Sequence, residues 1–198
     1  SELAYSEILH EEYSSEAGFR DLSFTTIAAA GPNGAIVHYS QASPDVELRY
    51  GELFLVDSGV QVLGGTTDDT RTVSIGMPTE SQRHLYTLVL RCHIAMARQK
   101  FPEGTSGLVL DGLARASMWN AGLDYGHGTG HGVGAFLNVH EGPQRIGPRG
   151  SDEPLQPGMV VSNEPGYYEE GWGGIRLENL YVVVPDDDMT PHPSGKRW

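Results

Sequence analysis

The strongest pattern in the chain is Leu53–Gly59 (LFLVDSG), an apolar run without alternation that predicts a strand buried on both faces. Asp57 interrupts it and demands a reason. Gly64 and Gly65 mark a turn, and Thr67–Ile75 (TDDTRTVSI) predicts the returning strand. Its alternation puts Asp68, Thr70 and Thr72 on one face and Asp69, Arg71 and Val73 on the other. Upstream, residues 3–16 predict a helix with Leu3, Ala4 and Ile8 on its apolar side. Residues 22–30 (LSFTTIAAA) predict a strand, Pro32-Asn33-Gly34 a turn, Ala35–Tyr39 a further extended stretch and residues 41–51 a polar loop.

Downstream, Thr79-Glu80-Ser81-Gln82 has the form of a capping box. The helix it opens should reach about Lys100, with Leu85, Leu88, Val89, Cys92 and Met96 on one face. A second helix is predicted from about Thr105 to Ala121, closed by Gly122. Residues 123–134 form a glycine-rich loop, and Val160–Asn163 and Ile175–Val184 predict strands. The tail from Asp186 is polar and Pro-rich. No fixed-period repeat, low-complexity tract or linker divides the sequence, so residues 1–198 are expected to form a single domain.

Composition narrows the function classes. The 198 residues suffice for a substantial core, and 26 Gly with 12 Pro favour turns and strands over a helix bundle. Thirteen basic against 26 acidic residues give a net charge of -13, the opposite of a general nucleic-acid binder. The one cysteine, Cys92, excludes an internal disulfide and a Cys-based zinc site, and reads as a buried structural thiol. No apolar run is long enough to span a membrane, and Ser1-Glu2-Leu3 does not open a signal peptide. The expected location is cytoplasmic, with neither nucleic acid nor membrane as partner.

Four carboxylates sit where apolar residues would be ordinary. Asp57 and Glu178 lie in apolar strands, Asp68 on an inward face, and Glu164 between VVSN and Pro165. Taken singly, each reads as a solvated strand-edge acid. A lone buried carboxylate takes up a proton or finds a partner, whereas several together are tolerated around divalent cations. Three histidines cluster in GHGTGHGVGAFLNVH, namely His127, His131 and His140, where glycine allows close backbone approach. His38 ends an extended stretch. His10, His84, His93 and His192 read as ordinary helix or tail residues. Hard oxygen donors with a single imidazole suit Mn²⁺, Fe²⁺, Co²⁺ or Zn²⁺ held as a pair. Two such ions would offset part of the negative charge.

The spacing Asp57-x10-Asp68 and the strings TTDDTRT, GHGTGHGVG, FLNVHEGP, NEPGYY and GIRLEN resemble the pita-bread metallopeptidases, and within them the aminopeptidase P group. DLSFTTIAAAGPNGAIVHYS is similar to the same group. The resemblance implies an α+β pita-bread (creatinase/methionine aminopeptidase-like) fold. A curved, mostly antiparallel sheet would carry helices on its outer face, truncated here at both ends. It implies that Asp57 chelates one metal, that Asp68 and Glu178 bridge two, and that His131 and Glu164 complete the coordination of the second metal. Glu164 would also handle the proton of a bridging hydroxide. His38, His127 and His140 would contact substrate, and Arg176 would orient the bridging carboxylates. The implied cofactor is two divalent ions, Mn²⁺ first, with Co²⁺, Zn²⁺ or Fe²⁺ as alternatives. The implied activity is release of the first residue from peptides whose second residue is proline. Xaa-Pro dipeptidase, methionine aminopeptidase and a non-catalytic binding module on the same scaffold are the competing readings. The chain would be the catalytic domain of a longer protein, without its N-terminal domains and C-terminal extension, and the full-length protein could dimerise.

Overall fold

The computed structural model of the chain describes residues 1–150, 152–186 and 195. In chain order the elements are α1 (Glu2–Ser15), β1 (Phe19–Leu22), β2 (Ile27–Ala30), β3 (Leu53–Ser58), β4 (Val60–Val62), β5 (Gly65–Thr66) and β6 (Asp69–Ser74). There follow α2 (Glu80–Ala97), α3 (Gly107–Trp119), β7 (Gly130–His131), β8 (Arg145–Ile146), β9 (Val160–Asn163), β10 (Gly166–Glu169), β11 (Gly173–Arg176) and β12 (Asn179–Val182). The chain is α+β. Among the described residues every strand pairing is antiparallel, and the pairings form short separate ladders rather than a closed barrel.

The buried run at Leu53 becomes β3, the middle strand of β2-β3-β6. Its register sets Asp57 opposite Ile27 on one side and Thr70 on the other. The alternation of the returning strand holds: Asp68, Thr70 and Thr72 are buried, while Arg71 and Val73 are exposed. α2 begins at a complete capping box, with Thr79 Oγ1 accepting from the Gln82 amide at 3.2 Å and Gln82 Oε1 from the Thr79 amide at 2.8 Å. Leu85, Leu88, Val89, Cys92 and Met96 are buried as predicted. α3 ends in a Schellman turn. The Leu123 amide donates to the Met118 carbonyl (2.9 Å) and the Gly122 amide to the Trp119 carbonyl (3.0 Å), with Gly122 at φ +71°.

Residues 160–182 fold as one antiparallel hairpin interrupted once. β9 pairs with β12 through Asn163 opposite Asn179, and β10 pairs with β11 through Gly166 opposite Arg176. Glu164-Pro165 and Leu177-Glu178 lie in the interruption, so two glutamates meet where the ladder opens. α2 lies against α3, β9, β10 and β11.

Several expectations need correction. Within the stretch 22–30 only Ile27–Ala30 is a strand of its own: Leu22 ends β1, and Ser23 bonds the carbonyls of Gly59 and Thr67. Ala35–Tyr39 is not extended; a 3-10 turn occupies Gly31–Ala35. The strand 175–184 breaks at Leu177 and Glu178, whose backbones turn to the carbonyls of Pro165 and Thr70. β10 lies in NEPGYY, where no strand was expected. α1 does not bury an apolar face: Ile8 is 59 % exposed and Glu2 is the buried residue. The Glu2 carboxylate accepts from the Ala30 amide, Asn33, Tyr39 and the Ser43 amide, and so fastens the helix alongside the edge-on contact of Tyr5 with Phe54. The tail beyond Asp186, His192 included, lies outside the described residues apart from Gly195.

Candidate metal centre

Asp57, Asp68, His131, Glu164 and Glu178 come from five segments and all line one cavity of about 610 Å³. His38, His127, His140 and Arg176 line it as well. Asp68, His131 and Glu178 each present a ligand atom, and the three atoms lie within 4.8 Å of one another. His131 Nε2 stands 3.2 Å from Glu164 Oε1 and 3.4 Å from Asp68 Oδ2. Its Nδ1 faces the Gly132 carbonyl at 2.9 Å, so Nδ1 carries the proton and Nε2 is the nitrogen turned to the acids. Ser162 Oγ locks this corner: it accepts from the His131 amide and donates to Glu164 Oε1, each at 2.9 Å.

Arg176 meets the acids from the other side. It donates to Asp57 Oδ2 at 2.6 Å, to Thr70 Oγ1 at 3.1 Å and to the Tyr168 hydroxyl at 2.9 Å. Thr70 Oγ1 in turn donates to Glu178 Oε2 at 2.5 Å. Arg176 therefore touches Asp57 directly and reaches Glu178 only through a threonine. Tyr168 stands 2.9 Å from His127 Nε2, while His127 Nδ1 faces the Gly128 carbonyl at 2.8 Å. Both His127 nitrogens are thus engaged within the protein. His38 and His140 are exposed at the cavity wall, and the His140 ring lies edge-on to His131 at 4.3 Å between centroids.

The electrostatics are those of an anion cluster short of cations. Burial, opposed by Arg176 and reinforced by the charges of Asp68 and Glu164, pushes Asp57 up to about 7. Burial and the charges of Glu164, Asp57 and Asp68 hold Glu178 well above the usual carboxylate range. Burial would lower His131, but the hydrogen bonds to Asp68 and Glu164 outweigh it and lift it to about 10. Asp57 Oδ1 is buried without a hydrogen-bond partner. An orphaned carboxylate oxygen beside three further acids and one imidazole is what a divalent cation would satisfy, so these residues fit a metal.

Three contributors escaped the sequence reading. Thr70 stood on the predicted inward face but had no assigned task. Tyr168 lay in a quoted motif without a role, and Ser162 gave no signal at all. His93, read as an ordinary helix residue, is buried. Its ring meets the Leu177 carbonyl and the Tyr181 hydroxyl, both at 3.1 Å.

The model of metallopeptidase family M24 matches residues 1–185. The chain belongs to metallopeptidase family M24. This M24 chain is 53% identical over 198 residues to Aminopeptidase P2 of Arabidopsis thaliana, covering 98% of this chain and 28% of that protein. It is 53% identical over 196 residues to a probable Xaa-Pro aminopeptidase P of Fusarium vanettenii, covering 96% and 31%. Among solved structures it superposes on X-prolyl aminopeptidase from Caenorhabditis elegans, described as a cytosolic enzyme with a di-nuclear active site. The TM-score is 0.91 at 40% identity, over 100% of this chain and 32% of that one. Prolidase from Pyrococcus furiosus gives a TM-score of 0.85 at 32% identity, over 92% and 52%. The fold is the M24 pita-bread fold. The M24 chain spans about three tenths of the length of the curated relatives it matches.

Proposed function

We propose that residues 1–198 are the catalytic peptidase domain of a metal-dependent aminopeptidase that removes the first residue from peptides with proline in second position. One observation carries the reading: five potential ligands, distant in sequence, line one cavity. The names of the plant, fungal and nematode relatives supply the substrate class. We assign metal binding to Asp57, Asp68, His131, Glu164 and Glu178, and Mn²⁺ as the first choice among Mn²⁺, Co²⁺, Zn²⁺ and Fe²⁺. When bound, divalent cations in this site would supply Lewis acidity and a water acidified enough to attack at neutral pH.

The residues of the chain supply the rest. An Xaa-Pro bond is a tertiary amide without an N–H, so a site that needs only an exposed carbonyl can cleave it. The departing proline nitrogen requires a proton, and Glu164, half-buried and hydrogen-bonded by His131 and Ser162, is our assigned carrier. Arg176 holds Asp57 in place directly and, through Thr70, Glu178. His38 and His140, exposed at the wall, are assigned to the substrate, and His127 to the supporting shell with Tyr168. A cytosolic location and a dimeric full-length protein extend the same reading.

The test is cleavage of Xaa-Pro peptides of increasing length by this chain. Activity should vanish with a chelator and return with Mn²⁺; activity indifferent to chelation would overturn the reading. The likeness to prolidase favours one alternative, an Xaa-Pro dipeptidase, and cleavage confined to dipeptides would select it.

A further inference from the structure

The loop that carries His127 and His131 is held from behind by two charged residues of α3. Asp111 and Arg115 are both 3% exposed and pair across one helical turn, with Arg115 Nε donating to Asp111 Oδ2 at 2.7 Å. The remaining guanidinium donors are spent on the loop. They reach Asp124 Oδ1 and the Tyr125 carbonyl at 2.7 Å and the His127 carbonyl at 2.5 Å. The guanidinium also lies 3.9 Å over the Tyr125 ring. Asp111 Oδ1 accepts from the Thr129 amide (3.2 Å) and from Thr129 Oγ1 (2.7 Å). The Thr129 hydroxyl is thereby committed as a donor, so the Tyr125 hydroxyl donates to it at 2.6 Å. The Thr129 carbonyl then accepts from the Glu164 amide at 2.8 Å.

Each connection ends beside a residue of the candidate centre. Arg115 holds the His127 backbone. Asp111 holds Thr129, two residues before His131, and through it the backbone of Glu164. Stability alone is a poor account of this arrangement. Burying an ion pair costs several kcal/mol of desolvation, roughly, and apolar pairs of similar volume often do as well or better. What an apolar pair lacks is a planar fork able to fix several backbone carbonyls in one orientation.

We propose that Asp111 and Arg115 are positioning residues of the metal centre, which set the path of residues 124–131 so that His131 and Glu164 face the same cation. This rests on the metal-binding reading above. The experiment is calorimetric titration of the metal-free full chain with MnCl₂, on wild type, Arg115→Met, Arg115→Lys and Phe54→Leu. Phe54 is buried on the face of β3 opposite Asp57, so its variant serves as a destabilised control with the loop untouched. Arg115→Met should weaken at least one Mn²⁺ site by about 10–100-fold, the range for lost outer-shell support. Arg115→Lys, which retains the charge but not the fork, should fall between, and decides the matter should Arg115→Met not fold. Phe54→Leu should lower the thermal midpoint and leave Mn²⁺ affinity unchanged. Wild-type affinity in the Arg115 variants, or an equal loss in Phe54→Leu, would overturn the proposal. A wild-type chain that takes up no Mn²⁺ would instead sink the metal-binding reading itself.

Discussion

His131 shows how one side chain can tie stability to pH. Without cations it is held by Asp68 and Glu164 at about 10, above the usual value for histidine of about 6.5. The folded chain then binds the proton more tightly than the unfolded chain, so the stabilisation is complete below about 6.5 and is lost as pH rises through about 10. Asp57, raised to about 7 by burial, has the same sign in a lower window. His93, His127 and His140, lowered by burial, have the opposite sign, but above pH 7 they are neutral in both states. The stability of the chelated chain, followed by its thermal midpoint, should therefore fall between pH 7 and pH 9.5, with His131 contributing at most about 1.4 kcal/mol per pH unit. His131→Asn should flatten that slope, and a midpoint that rises with pH in wild type would contradict the assignment. The acids and the histidine were legible one by one, as polar residues in apolar or glycine-rich surroundings. Their partners were not. Thr70 was placed on the right face by alternation, yet its bond to Glu178 spans 108 residues, a relation that no local pattern encodes. Glu2 was unreadable for the same reason, since its four donors come from a different part of the chain.

At the scale of elements, the readable features were those written in local periodicity: the buried run of β3, the alternation of β6, the capping box of α2 and the glycine that closes α3. The breaks were not readable. An unbroken apolar string such as IRLENLYVVV predicts one strand, and only the facing segment reveals where the ladder opens. At that opening the amides of Glu164 and Glu178 leave the hairpin's own ladder and donate to the carbonyls of Thr129 and Thr70. The glycine-rich loop is constrained just as closely by its neighbours. A Cβ on Gly130 would stand 1.9 Å from the Ser162 carbonyl oxygen, too close without displacing β9. Gly130→Ala should thus cost at the upper end of about 1–3 kcal/mol by overpacking. Because the displaced segments carry His131, Ser162 and Glu164, Mn²⁺ affinity should fall with stability. Denaturant unfolding and calorimetry on the same sample check both, and a variant that keeps the wild-type midpoint would show that β7 is not so confined.

For the molecule as a whole, the proposed metal centre predicts a fold whose stability depends on cations. The formal charge is -13, and Asp57, Asp68, Glu164 and Glu178 converge on one cavity, where Arg176 pairs with Asp57. In the unfolded chain the same residues are separated along most of its length, so the cation site exists only after folding. A ligand that binds the folded state alone stabilises it by about 2.7 kcal/mol at 100 times its dissociation constant. For a chain of this size each kcal/mol moves the thermal midpoint by roughly 2–4 °C. Saturating Mn²⁺ should therefore raise the midpoint of the chelated chain by about 5–11 °C. General screening of a strongly acidic surface would also stabilise, but NaCl at equal ionic strength would reproduce it. Asp57→Asn separates the two effects, because it removes one ligand and leaves the rest of the surface charge in place. If that variant responds to Mn²⁺ as fully as wild type, the stabilisation belongs to the surface and not to the centre. A response lost in Asp57→Asn and absent with NaCl locates it at the site where the five segments meet.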